Sequence, residues 1–363
     1  MEKAKRYLAL DVFRGLTIAL MILVNTPGTW SHVYSPLRHA EWHGCTPTDL
    51  VFPFFIFIVG ASIYFSLRKY GDHFNSGVRQ RIFKRFFLIF LIGLALNYFP
   101  FYNKSIENLR IYGVLQRIAF AYLLASLLAM FIKNKIHLAW TAIAVLIGYY
   151  FILIIAGPDQ AFTLENNLVR AFDLATIGES HMYKGFGIPF DPEGLLGAIP
   201  ASITAILGYL FAYYLSTTKN LKLSYLFIVG TTAIIISLLF NGIMPINKPL
   251  WTSTYVLFAG GIAILILSVL IYLIDIKKWT NWTFPFRVFG TNALFAYIIS
   301  VLWVKILIII KIGDLSGYGW LYHQVFKPIA GPLHGSFLFA ITHVFFFWLI
   351  TLVLYRRNII IKV

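Results

Sequence analysis

The sequence predicts an all-α, polytopic membrane protein, and three observations carry that prediction. Apolar residues make up 59% of the 363-residue chain and charged ones only 12%, far from the balance of a soluble domain of this length. Apolar runs of about 20 residues, the thickness of a bilayer in helical rise, recur from end to end. Those runs are continuous rather than alternating, which excludes a closed β-barrel.

Taken in order, the runs place ten spans near residues 7–26, 49–67, 82–100, 111–132, 136–156, 194–215, 223–241, 251–274, 287–310 and 335–355. The first follows the basic start Met1–Arg6 and stops at Thr26-Pro27-Gly28; with no small-residue cleavage motif behind it, it reads as a retained span. Asp49 opens the second, Asp191-Pro192-Glu193-Gly194 the sixth, and Asn247-Lys248-Pro249-Leu250-Trp251 the eighth. Arg68 and Lys69 with Arg79, Arg81, Lys84 and Arg85 fill one connection. Lys133 with Lys135, Lys219 with Lys222, and Lys277 with Lys278 fill three more, and Arg356, Arg357 and Lys362 follow the last span. These positions alternate, so the positive-inside rule puts them and both termini in the cytoplasm.

The opposite connections hold Glu41, Glu107, Asp159, Glu165, Asp173, Glu179, Asp191, Glu193 and Asp314. They are also the long ones, 27–48, 157–193 and 311–334, and long aromatic-rich loops in a compact protein are usually functional. Segment 164–174 reads as an amphipathic helix on the outer interface. The net charge of +16 is therefore a topology signal, and nucleic acid is not an expected partner. Cys45 is the only cysteine, so no disulfide forms within the chain. With no internal repeat or linker, residues 1–363 read as one membrane domain, expected in a bacterial inner membrane.

Several polar residues sit where a bilayer makes them expensive, and such residues tend to mark sites. Asp11 and Arg14 share a face of the first helix at spacing i, i+3; they read as an anchoring ion pair or as part of a site. Gln116 and Arg117 lie about two turns into the fourth, where an arginine faces a polar cavity or an anionic ligand rather than lipid. Asn292 is inside the ninth, as an interhelical hydrogen bond or a ligand contact. Asn25 ends the first helix as a cap or as a group at the outer mouth. The densest cluster is His39-Ala40-Glu41-Trp42-His43-Gly44-Cys45 followed by Asp49. Asp49 serves as a plain helix start or as a carboxylate orienting an imidazole. His39 and His43 at i, i+4 make a poor metal pair without an HExxH frame, and no metal is expected. Neither a GxSxG elbow nor a phosphate loop is present.

The blocks Leu10-Asp-Val-Phe-Arg-Gly15, Met21-Ile-Leu-Val-Asn25, His39-Ala-Glu-Trp-His-Gly44 and Asp49-Leu-Val-Phe-Pro53 resemble the transmembrane acyltransferases related to heparan-α-glucosaminide N-acetyltransferase. The resemblance continues, in order, through Leu109-Arg-Ile-Tyr-Gly-Val-Leu-Gln-Arg117, Asp191-Pro-Glu-Gly-Leu-Leu-Gly197, Pro245-Ile-Asn-Lys-Pro-Leu-Trp251 and Gly290-Thr-Asn292. It implies acetyl transfer from cytosolic acetyl-CoA to the amino group of a terminal glucosamine across the membrane. The family's catalytic histidine falls in the block of His39, its motif asparagine on Asn25, and its acidic positions on Asp49, Asp191 and Glu193. Where the family carries Asn and Leu this chain has His43 and Cys45, which leaves the acceptor open.

The chemistry suits those residues. Acetyl transfer from a thioester to an amine needs a base for the ammonium proton or a nucleophile to carry the acetyl group, and imidazole does either near neutral pH. Asn25 is a candidate oxyanion donor. Arg14, Gln116, Arg117 and Asn292 are candidate donor contacts, the arginines for CoA phosphates. Trp42, Asp191, Glu193, Asn247, Lys248 and Trp251 are candidate contacts for a protonated amino sugar. The alternative is a sugar or small-metabolite transporter lined by Arg117 and Asn292, for which inverted repeats are missing; a weaker third reading is a scaffold for envelope polymer assembly. The partners expected are acetyl-CoA, the acceptor and the bilayer, and a homodimer is left open.

Overall fold

The computed structural model describes residues 7–70, 76–102, 105–155, 157, 159–218 and 221–361. Of the charge pattern, Met1–Arg6, Lys219 and Lys362 lie outside these residues. The chain is almost entirely helical: α1 (Leu8–Asn25), α2 (Pro47–Leu67), α3 (Ser76–Tyr98), α4 (Val114–Phe131), α5 (Lys135–Ile154), α6 (Leu168–Ile177), α7 (Ala198–Thr217), α8 (Leu223–Phe240), α9 (Ser253–Leu270), α10 (Phe284–Thr291), α11 (Ala293–Ile309), α12 (Gly317–Trp320) and α13 (Lys327–Arg356). A two-residue hairpin, β1 (Lys311–Ile312) with β2 (Leu315–Ser316), is the strand pairing found among the described residues. Apolar helices of this length make it a multi-pass integral membrane protein.

The span count differs from ten. Among the described residues eight helices are long and apolar enough to cross a membrane, and α10 with α11 makes a ninth, bent by 71°. The bend is at Asn292, whose backbone leaves the helical region. The remaining expected span is α3, which has the length but carries Arg81, Lys84 and Arg85 within its first turns. Two further boundaries shift for local reasons. The amphipathic helix expected at 164–174 starts at Leu168 because the Asn167 side chain accepts from the Arg170 amide, an N-cap bond. Helix α4 starts at Val114, after an extended Tyr112-Gly113, so Arg117 sits one turn into it and not two. In α13, Gly331 has φ +75° and is followed by Pro332, which kinks the helix.

Contacts gather into two compact units. Among the described residues, unit 1 holds 41–45 and those of 56–268; unit 2 holds 7–40, 46–55 and 269–361. In unit 1, α2 crosses α7 through glycines: a Cβ on Gly60 would lie 1.7 Å from the Ala205 carbonyl, and one on Gly208 1.8 Å from that of Phe57. Without a hydrophobic drive between helices in lipid, such close backbone approach supplies the packing. Unit 1 also contains an apolar cluster of Tyr149, Leu153, Val169, Phe190, Met244 and Leu250. In unit 2, α1 packs on α10 by the same device, Gly15 against the Phe286 carbonyl and Gly290 against that of Asp11. The Asp275 carboxylate accepts from the Leu8 and Ala9 amides at 3.0 and 3.1 Å and so satisfies orphan donors at the start of α1.

Candidate active site

Unit 2 carries the histidine–carboxylate pair. Asp49 lies in the first turn of α2, where its Oδ2 accepts from the Thr46 amide at 3.1 Å and the Ala40 amide at 3.0 Å. The reach back to Thr46 is the capping-box arrangement with an acid in place of the usual Glu. The Thr46 hydroxyl donates to the Arg38 carbonyl at 2.7 Å and closes the loop around residues 38–46. That folding brings the His39 imidazole to Asp49: Nδ1 is 2.6 Å from Oδ1. The carboxylate is an acceptor only, so Nδ1 carries the proton and Nε2 is left as the lone-pair nitrogen. The imidazole is 42% exposed over a carboxylate that is 2% exposed.

The other expected residues of unit 2 have local partners. Asn25 ends α1, exposed, and donates from Nδ2 to the Met21 carbonyl at 2.8 Å, leaving the second N–H of the amide. Arg14 pairs with Asp11 at 3.1 Å. Asn292 is spent on the carboxy-terminal segment: Nδ2 donates to the Ile359 carbonyl at 2.9 Å and Oδ1 accepts from the Ile361 amide at 2.8 Å.

Unit 1 gathers most of the rest. Asn247 is fully buried; its Nδ2 donates to the Trp42 carbonyl at 3.0 Å and its Oδ1 accepts from the Leu250 amide at 2.7 Å. With the Gly44 amide donating to the Ile246 carbonyl at 2.7 Å, it pins residues 42–44. His43 Nδ1 lies 3.3 Å from the same Nδ2, and burial pushes its pKa down, so this nitrogen accepts. The Trp42 indole donates to the Phe162 carbonyl at 2.7 Å and meets Phe186 and Phe190 edge to face. Lys248 is half-buried in the same loop.

Two residues that sequence reasoning passed over organise the acidic block. Arg110 donates from Nε and Nη2 to Asp191 at 2.8 Å each and from Nη2 to Glu193 at 2.5 Å, with its guanidinium over the Tyr183 ring. Burial works against its charge, but the bonds and charges of Asp191 and Glu193 outweigh that and raise its pKa. Asp173, fully buried on α6, accepts from the Leu195 amide at 3.1 Å through Oδ1, while Oδ2 has no hydrogen-bond partner among the described residues. Burial first, and then the Asp191 charge, pushes its pKa up to about 7. A Cβ on Gly194 would lie 1.8 Å from Oδ2, so that glycine makes room for the carboxyl. The signal for Arg110 was a cation inside a motif, on connections that hold most of the carboxylates; Asp173 gave none beyond its place on an amphipathic helix.

Arg117 is fully buried and donates to three carbonyls of the same loop: Nη1 to Gly197 at 3.0 Å, and Nη2 to Pro192 at 3.1 Å and Gly194 at 2.8 Å. Its guanidinium stacks 5.1 Å from the centre of the Trp251 ring, whose Nε1 donates to Thr204 at 3.2 Å. Gln116 beside it is buried between α3 and α4 against Gly93 and Gly113.

Residues 6–175, which include His39, Asp49, Arg110, Arg117 and Asp173, match the family model described as heparan-alpha-glucosaminide N-acetyltransferase, catalytic. The human enzyme of that name is 28% identical over 352 residues, covering 81% of this chain and 52% of its own length. The mouse enzyme is 28% identical over 356 residues, covering 82% and 53%. The chain spans about half the length of the curated relatives it matches. By the match to the catalytic model and the identity to both enzymes, this membrane protein is similar to the heparan-alpha-glucosaminide N-acetyltransferases.

Proposed function

We propose that the chain is a membrane acetyltransferase that moves an acetyl group from acetyl-CoA to the amino group of a glucosamine-type sugar. The observation that supports it most is the His39–Asp49 pair, with Nδ1 tied at 2.6 Å and the imidazole 42% exposed over the buried carboxylate. Asp49 fixes the tautomer and the orientation of the ring, so that Nε2 is the nitrogen with the lone pair. Nε2 takes the proton of the acceptor ammonium. The freed amine attacks the thioester carbonyl and forms the C–N bond, and the second N–H of Asn25 is the proposed donor to the oxyanion. Collapse breaks the C–S bond; of the two protons the nitrogen gives up, one passes through the imidazole to the thiolate and the other leaves to solvent, giving amide, free thiol and one released proton. Arg14, at the start of α1, is the cation assigned to the donor's phosphates. Trp42, Glu193 and Lys248 are assigned to the acceptor, the indole by stacking on a sugar face; Asn247, buried and held at both ends of its amide, serves the loop instead.

Purified protein in detergent with labelled acetyl-CoA and a panel of amino sugars tests this reading. Transfer is expected and should need His39; absence of transfer to any amine or hydroxyl acceptor sinks it. The basic connections are proposed to face the cytoplasm, in a bacterial inner membrane. In a Cys45→Ser background, an impermeant thiol reagent added outside should label Asp314→Cys and spare Lys69→Cys; the reverse pattern overturns the orientation.

A further inference from the structure

The sequence offers Arg117 a polar cavity or an anionic ligand, the phosphates of the donor among them. Its surroundings are built for something else. Three backbone carbonyls from one loop, those of Pro192, Gly194 and Gly197, accept from its two terminal nitrogens at 2.8–3.1 Å. No carboxylate lies within ion-pair distance of it among the described residues. The Trp251 ring covers its guanidinium at 5.1 Å. Gly197 has helical backbone angles that any residue adopts, yet a Cβ there would lie 2.7 Å from Nη2 and 2.9 Å from Nη1. The glycine is therefore required by the guanidinium and not by the turn. Trp251 itself has φ +52°, a left-handed conformation that bulky residues rarely hold unless their surroundings impose it. Its restraints include the Thr204 bond, its own amide donating to the Lys248 carbonyl at 3.0 Å, the Tyr255 ring edge to face, and the stacked guanidinium.

We infer that Arg117 is a positioning residue, which uses its planar fork to hold the 191–197 loop against the Trp251 indole and thereby presents Glu193 to the acceptor, and that it is not a ligand of the donor's phosphates. A fork of fixed donors suits three carbonyls converging from one side; an ammonium is a compact point charge and does not reproduce it. The kinetic part of this inference rests on the acetyltransferase reading, whereas the structural part does not.

The test uses the full chain in detergent and Arg117→Lys, which keeps the charge and loses the fork. Amide hydrogen exchange is expected to rise at 193–197 by about tenfold or more, with α1 and α13 unchanged. Acceptor KM is expected to rise about tenfold while acetyl-CoA affinity stays within about twofold. Unchanged exchange at 193–197 overturns the inference. So does a donor affinity weakened about tenfold with acceptor KM unmoved, which returns Arg117 to the phosphates. If Arg117→Lys does not fold, Gly197→Ala takes its place, because its methyl group must displace the guanidinium, and the same split is expected. If the wild-type protein transfers no acetyl group, the functional reading fails and exchange alone decides the role of Arg117.

Discussion

His39 with Asp49 in one unit, and Arg110, Arg117, Asp173, Asp191 and Glu193 in the other, are both polar networks in an apolar protein, but they divide exposure differently. In the first, the carboxylate is buried and accepts from two amides, the Thr46 hydroxyl and an imidazole, while the imidazole itself is 42% exposed. In the second, Arg117, Asp173 and Asp191 are all fully buried, and Arg110 spends its fork on two acids. A base must meet its substrate, so only its orienting partner can be hidden; a scaffold can hide every member. The first arrangement is thus fitted to move a proton and the second to hold a shape. Damage to the two should read out differently, as lost rate in one and lost stability in the other.

His39→Ala is the largest expected effect on rate. Removing a base costs on the order of 10²–10⁴-fold, while Asp49 keeps its bonds from the Ala40 and Thr46 amides and the Thr46 hydroxyl, so the melting temperature should fall less than in a variant that strands a buried charge. Acetyl-CoA affinity, measured by titration calorimetry, should stay within about twofold, since no ground-state contact is lost. Near-wild-type turnover in His39→Ala would remove the site from unit 2. An acetyl group trapped on His39 without acceptor would keep the site and replace the base by a covalent carrier.

Arg110→Met inverts that signature. It leaves Asp191 buried without its cation, and breaking a buried ion pair from one side costs about 3–5 kcal/mol. The loss should appear as a clear drop in thermal stability and as freer amide exchange at 191–197. A variant as stable as the wild type would mean that the acids find other partners and that the network is not a scaffold.

How much of this was legible in the chain follows from what each feature depends on. The helices were readable because a bilayer permits few alternatives, and the His39–Asp49 pairing because both ends lie in one short loop beside a helix start. The breaks were not. The bend at Asn292 depends on the segment carrying Ile359 and Ile361, 67 and 69 residues away. The late start of α4 comes from an extended Tyr112-Gly113 that hydropathy reads as span, and the Arg110 and Tyr112 carbonyls there are held by Asn97 from α3. The partners of Arg117 and Asp173 are the backbone of a loop whose glycines look, in the sequence, like ordinary turn residues.

Asp173 sharpens the comparison through pH. Its carboxyl is raised from 3.8 to about 7 when folded, so the native state holds that proton over a range in which the unfolded chain has released it. The stabilisation is therefore complete below the unfolded value and is lost as pH rises through about 7. Asp173→Asn keeps the acceptor for the Leu195 amide and cannot ionise. The wild-type melting temperature should fall between acidic and mildly basic buffer by more than that of Asp173→Asn. Parallel curves would show that Asp173 is ionised in the fold and that Oδ2 has found a partner.

The smallest effect should come from His43, and it separates the two histidines that the sequence sets four residues apart. His43 has no carboxylate within ion-pair distance among the described residues; its Nδ1 has only a long contact, 3.3 Å, to the Asn247 amide. Burial lowers its pKa, which makes it a weaker base than a free imidazole, the opposite of what a carboxylate does for a catalytic one. Asn247 does not depend on it, because the Trp42 carbonyl and the Leu250 amide already hold both ends of that side chain. His43→Ala should thus retain activity within about threefold of wild type, the range left to a residue outside the proton path, with an unchanged pH profile. A loss as deep as that of His39→Ala would mean that proton transfer does not rest on the Asp49-paired imidazole alone, and the division between a reactive unit and a scaffolding unit would have to be redrawn around residues 41–45.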